Sequence, residues 1–102
     1  MTNKTFQSVL DETILPAIKQ MRNSGQKEYA QDEEDIFANF KREGAMLNIS
    51  KEKILLTFFL KHIGGIVSHH NGHTSQREPI SGRYADAIVY LMLLWAMDEE
   101  GY

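Results

Sequence analysis

The sequence predicts an all-α fold: a small bundle of four main helices, one domain across residues 1–102, held in an oligomer. Three observations carry this expectation. Apolar residues recur at spacings of three and four along four stretches, the period of a helix with one buried face. Well-spaced breaks rich in Gly, Asn, Ser or Pro separate those stretches. Strand signals are poor throughout, which leaves helix-on-helix packing as the way to bury the apolar residues.

The first helix is expected over Thr5–Arg22, where Phe6, Val9, Leu10, Ala17, Ile18 and Met21 form an amphipathic stripe. Pro16 lies inside it and lacks a backbone donor, so a kink or break is expected there. "NSGQ" at 23–26 ends this helix, with Gly25 as its C-terminal cap. The second helix starts at Gln31 or Asp32 and runs to Met46, with Ile36, Phe37, Phe40 and Leu47 inward. Glu33, Glu34 and Asp35 then fall in its first turn, where the helix dipole favours anions. Ser50 caps the third helix, which runs to Ser68. Its apolar residues (Ile54, Leu55, Phe58, Phe59, Ile63, Ile66, Val67) cover a wide arc, and Gly64 and Gly65 suit a close approach by another backbone or a ligand. A polar loop follows from His69. The fourth helix starts at Ser81 or Gly82, ends near Glu99, and is apolar around so much of its girth that it belongs at the centre or against a partner subunit.

Bulk composition narrows the function classes. With 42% hydrophobic and 25% charged residues the chain reads as an ordinary globular protein. A net charge of -3 and no long basic run argue against strong general binding to nucleic acid or anionic membrane. There are no cysteines, so disulfides, thiolate metal sites and cysteine nucleophiles are excluded. The apolar runs Ile54–Leu60 and Ala87–Ala96 fall well short of the ~20 residues of a membrane span. The first ten residues lack the apolar core of a signal peptide. A cytoplasmic protein is expected.

Several polar constellations stand out. Arg83, Asp86 and Tyr90 lie at i, i+3 and i+7, on one face near the start of the fourth helix. They read either as a polar site (a cation for phosphate, a carboxylate for metal, a phenol for stacking) or as a local ion pair beside a core aromatic. Lys61 and His62 interrupt an apolar helix, and read as phosphate contacts or, for His62, as a satisfied interior histidine. "QDEED" at 31–35 is a solvated helix start or, with Asp86, a hard-cation site. His69 and His73 have metal-clamp spacing, but Asn71 and Gly72 between them disfavour the helix such a clamp needs. "HIGGIVS" at 62–68 has no following Lys-Ser/Thr and no preceding strand, so it is not a phosphate-binding P-loop.

In order, "EYA" at 28–30, "FANFKR" at 37–42, "KH" at 61–62 and "EPI" at 78–80, then Gly82, Arg83, Asp86 and Tyr90, form a set. The set resembles the phage nucleotide-modification-associated domains, themselves similar to the MazG-like NTP pyrophosphohydrolases. The resemblance spans Glu28 to Glu100. It implies a dimeric or tetrameric all-α protein, phage-encoded and acting in the host cytoplasm, that binds or processes a nucleotide. It further implies Mg²⁺-dependent cleavage of an NTP or dNTP to NMP and pyrophosphate. The catalytic positions would be Asp86 and Lys61, the ligand-binding ones Asn39, Lys61, His62, Arg83 and Tyr90, and the metal ligands Asp86, Glu33, Glu34 and Asp35. The sequence departs from the hydrolytic pattern at two points: Arg83 stands where the later motif has glutamate, and Glu33 is followed three places on by Ile36 rather than a second acid. Fewer carboxylates and an added guanidinium favour direct phosphate binding over metal chemistry. Three expectations result: a metal-dependent nucleotide hydrolase, a module that sequesters a nucleotide or nucleotide-derived defence signal, and a helical interaction protein.

Overall fold

The structure is a computed structural model; it describes residues 1–29, 35–73 and 78–100, and of residues 26–29 the backbone only. Helices α1 (Asn3–Val9) and α2 (Leu15–Tyr29) are joined end to end by a π-helical turn, Leu10–Ile14, into one rod. Then come α3 (Ala38–Leu47), α4 (Lys51–His70) and α5 (Ile80–Glu100). There is no strand among the described residues. The all-α expectation holds, with four helical rods in the expected order.

The first rod differs from the expectation in two ways. Pro16 does not break it. In a strict α-helix its ring would collide with the carbonyl four residues back. Here the preceding turn is wound wider, closed by the Leu15 N–H donating to the Leu10 carbonyl, and the rod continues. Nor does Gly25 cap the helix: it lies inside α2, which continues to Tyr29. The stripe beginning at Phe6 is covered only in part. Ile18 is buried, but Phe6 is 47% exposed and α1 holds no buried residue.

The second helix starts later than its acidic run suggested. Asp35 lies outside α3; its Oδ1 accepts from the Phe37 N–H at 2.9 Å and its carbonyl accepts from the Ala38 N–H at 3.1 Å. Asp35 therefore organises the turn that leads into the helix. Glu33 and Glu34 lie outside the described residues. At its other end α3 closes on Asn48, in the left-handed conformation at φ 58°, which Asn tolerates better than most residues. The Gly44 carbonyl accepts from the Asn48 and Ile49 N–H groups there. Leu47, expected inward, is exposed at this corner. Ser50 then caps α4 as expected, its hydroxyl accepting from the Lys53 N–H at 3.2 Å.

The centre of the molecule is the pair α4–α5, with α2 packed on α5 and α3 on α4. The pair is antiparallel: Phe58 meets Tyr90, His62 meets Asp86, and His70 Nε2 lies 2.7 Å from the Tyr84 hydroxyl. The core gathers Phe37, Phe40, Ile54, Leu55 and Met97, with Leu55 fully buried. The molecule measures 45 × 30 × 24 Å. Its radius of gyration is 15.4 Å, against about 13 Å for a compact chain of this length. The extension reflects α1, which packs extensively only along its own rod.

Two glycines on this frame have opposite surroundings. A Cβ on buried Gly44 would lie 2.7 Å from the Ile49 carbonyl oxygen, whereas one on Gly64 would meet nothing within 4 Å. Gly64→Ala should therefore gain helix propensity, about 0.5–1 kcal/mol. Gly44→Ala should lose about 1–3 kcal/mol to the backbone clash. Urea denaturation of the two variants beside the parent should move the midpoints in opposite directions.

Candidate functional site

A cavity of about 330 Å³ opens between α2, α3, α4 and α5. From α4 it receives Phe58, Lys61 and His62; from α5, Asp86, Val89, Tyr90 and Leu93; from the α3 region, Ile36, Asn39 and Phe40. Met21, Arg22 and Gly25 of α2 and Glu78 just ahead of α5 complete it. Helical spacing explains the assembly. Phe58, Lys61 and His62 lie at i, i+3 and i+4, and Asp86, Val89, Tyr90 and Leu93 at i, i+3, i+4 and i+7, so each helix turns one stripe to the same space.

An aromatic ladder forms one wall. Phe40 and Phe58 meet edge to face with centroids 6.2 Å apart; Phe58 and Tyr90 lie nearly parallel at 6.2 Å; Tyr90 and His62 are 5.6 Å apart. The Tyr90 ring thus helps to hold His62. His62 is buried, and its Nδ1 has no hydrogen-bond partner among the described residues. Asp86 Oδ2 lies 3.7 Å from that nitrogen, beyond hydrogen-bond range. Glu78 comes close as well: one donor atom each from His62, Glu78 and Asp86 lie within 4.8 Å of one another. Lys61 and half-buried Arg22 add two cations to the same cavity.

Of the residues singled out from sequence, Asn39, Lys61, His62, Asp86 and Tyr90 meet at this one cavity. Asn39 is also tied to its own helix, its Oδ1 accepting from Arg42 at 2.6 Å. Arg83 is not among the cavity's lining residues. Its guanidinium lies across α4 at Gly65, so close that a Cβ there would be 2.5 Å from Arg83 Cζ. The close approach expected at the glycine pair is thus made by a side chain, and at Gly65. Asp35 does not join the carboxylate cluster. It is engaged by Lys41, whose Nζ donates to its Oδ2 at 2.7 Å, and that hydrogen bond, with the one from the Phe37 N–H, holds its carboxyl below the usual aspartate range. The metal role expected for Glu33 and Glu34 lies outside the described residues.

The histidine clamp fails on backbone grounds. α4 ends at His70, Gly72 turns the chain at φ 97°, and His73 lies past the end of the helix. His70 instead meets the Tyr84 hydroxyl. Sequence reading missed Arg22, Met21 and Glu78. The sequence places Arg22 at a helix end, whereas α2 continues past it to Tyr29. Glu78 is eight residues from Asp86, too far for a shared helical turn, and only the path of the chain into α5 brings it near. Its one signal was an acid directly before a Pro-led helix start.

The class of protein defined here is a small all-helical one with a polar-rimmed cavity between its helices. No protein-family model, curated protein or solved structure matches the chain.

The Asp35–Lys41 pair has a pH signature. Because the folded carboxyl lies below its usual value of 3.8, the pair's contribution is complete above that value and is lost as pH falls through the lower folded one. Asp35→Asn keeps an acceptor for Phe37 but removes the charge. The gap in melting temperature between parent and Asp35→Asn should be present at pH 6 and narrow below pH 4 in a thermal-melt series.

Proposed function

We propose that this protein binds a nucleotide in the cavity between α2, α3, α4 and α5. The observation that carries the reading is the convergence of an aromatic wall, two cations and two carboxylates on one space of about 330 Å³. That volume is at the lower end of small-molecule sites, roughly 300–1,000 Å³, and suits one mononucleotide-sized ligand. Phe58 and Leu93 offer apolar contact to a base. Lys61 and Arg22 would take phosphate oxygens by charge-assisted hydrogen bonds. The resemblance to phage nucleotide-modification-associated and MazG-like domains supports the same ligand class. Arg83, which lies against Gly65 and does not line the cavity, has no part in this reading.

A second reading, cleavage of an NTP or dNTP to NMP and pyrophosphate, is favoured by Asp86 and Glu78 lying together beside Lys61. The Mg²⁺ that this reaction would use does not suit the residues present. Mg²⁺ takes oxygen ligands in near-octahedral order, while the cluster contains a buried imidazole and Asp35 is engaged by Lys41. Binding is therefore the primary reading.

We also propose that the protein is a homodimer. Its accessible surface is 7610 Å², against about 5,900 Å² for a compact monomer of 11.7 kDa. A standard interface takes about 800 Å² from each partner. On α5, Tyr84, Ile88, Leu91 and Trp95 lie exposed at spacings of four, three and four, and α4 exposes Leu56, Leu60 and Val67. These stripes supply the apolar area a second copy would cover.

Thermal shift with each common NTP and dNTP, with Mg²⁺, Mn²⁺ or EDTA, should show stabilisation by at least one nucleotide. Lys61→Ala should weaken that binding about tenfold or more. No shift with any nucleotide, or binding unchanged in both Lys61→Ala and Arg22→Ala, would overturn the reading; monophosphate by chromatography would promote the hydrolytic one. Light scattering should give a mass of twice 11.7 kDa, and the double variant Leu60→Glu with Leu91→Glu should halve it. A parent monomer at 100 µM would end the dimer proposal.

A further inference from the structure

We propose that His62, Glu78 and Asp86 form a site for one borderline divalent transition-metal ion of the Zn²⁺ class, and not for Mg²⁺. The site joins the middle of α4, the first turns of α5 and the segment ahead of α5. It needs no nucleotide, so it stands or falls apart from the reading above.

The first support is geometric. One donor atom from each of the three residues lies within 4.8 Å of the other two. Ligands about 2.0–2.2 Å from a central ion are separated from one another by about 3.0–3.6 Å when adjacent. The 3.7 Å between His62 Nδ1 and Asp86 Oδ2 is too long for a hydrogen bond and close to the spacing of two ligands of one ion. Glu78 is exposed, so its carboxylate has room for the small movement that would close the set.

The second support is independent of that spacing. His62 is only 9% exposed, and its Nδ1 is buried without a hydrogen-bond partner among the described residues. Native proteins rarely leave a buried polar atom in that state without a reason. Tyr90 packs against the ring, and the unsatisfied nitrogen is on the Asp86 side. A metal ion on that side would give the nitrogen a partner.

Donor chemistry sets the metal class. One imidazole nitrogen with two carboxylates suits Zn²⁺, Fe²⁺, Co²⁺ or Ni²⁺, whereas Mg²⁺ prefers oxygen alone. Three protein ligands also leave coordination positions open, the mark of sites that accept a further ligand.

The test uses the whole chain and metal alone. Isothermal titration with Zn²⁺, and visible absorption on adding Co²⁺, should show one ion per chain, with Mg²⁺ binding at least 100-fold weaker. Asp86→Asn and Glu78→Gln, conservative changes at residues that are not buried, should each weaken Zn²⁺ binding tenfold or more. His62→Ala should abolish it, with circular dichroism reporting whether that variant folds. The double variant His69→Ala with His73→Ala should bind as the parent does. No stoichiometric ion, equal affinity for Mg²⁺, undiminished binding in Asp86→Asn with Glu78→Gln, or loss of binding in the His69/His73 variant would each overturn the proposal.

Discussion

The antiparallel packing of α4 on α5 is the constraint on which the rest of this structure depends. Along their seam Phe58 meets Tyr90, His62 meets Asp86, and Gly65 receives the Arg83 guanidinium. The seam is apolar at one end, where Leu55 and Met97 are buried. It turns polar toward the loop, where His70 meets Tyr84. The pair has two tasks: its apolar end anchors α3 and the core, and its middle, at His62, Asp86 and Tyr90, lines the cavity. Helices α2 and α3 then act as walls.

Placing a titratable group beside a hydrophobic core has a cost, since burying a polar atom without a partner is unfavourable. In this fold that cost is concentrated at His62. The Tyr90 ring packs against its imidazole, and the carboxylates of Asp86 and Glu78 lie near it. Asp35 shows the contrast. Its carboxylate is satisfied by Lys41 and by the Phe37 backbone, and it serves the entry to α3. Acidic residues close together in sequence were thus less informative than two that the fold brings together from eight residues apart.

The outer surface follows from the same helix pair. α4 and α5 are apolar over more of their circumference than α2 and α3 can cover, so Leu60, Leu91 and Trp95 remain outside. No described helix is long and apolar enough to cross a membrane. The proposed second copy of the chain would cover such a surface without requiring another partner, because a two-fold contact needs only one self-complementary patch.

The sequence by itself determined the helical class, the order of the rods and the Ser50 cap, and it singled out four residues that line the cavity: Lys61, His62, Asp86 and Tyr90. These are local or periodic features. A cap needs three residues of context, and a helix face repeats every three to four. Tertiary structure decided what no period encodes. It turned Arg83 against Gly65, brought Arg22 in from α2, and set Glu78 beside Asp86 across a stretch that shares no helical turn with it. It also decided the course of the first rod, where a π-helical turn carries the chain through Pro16. Each of these depends on where separate segments lie in space, and that is fixed only when the helices pack.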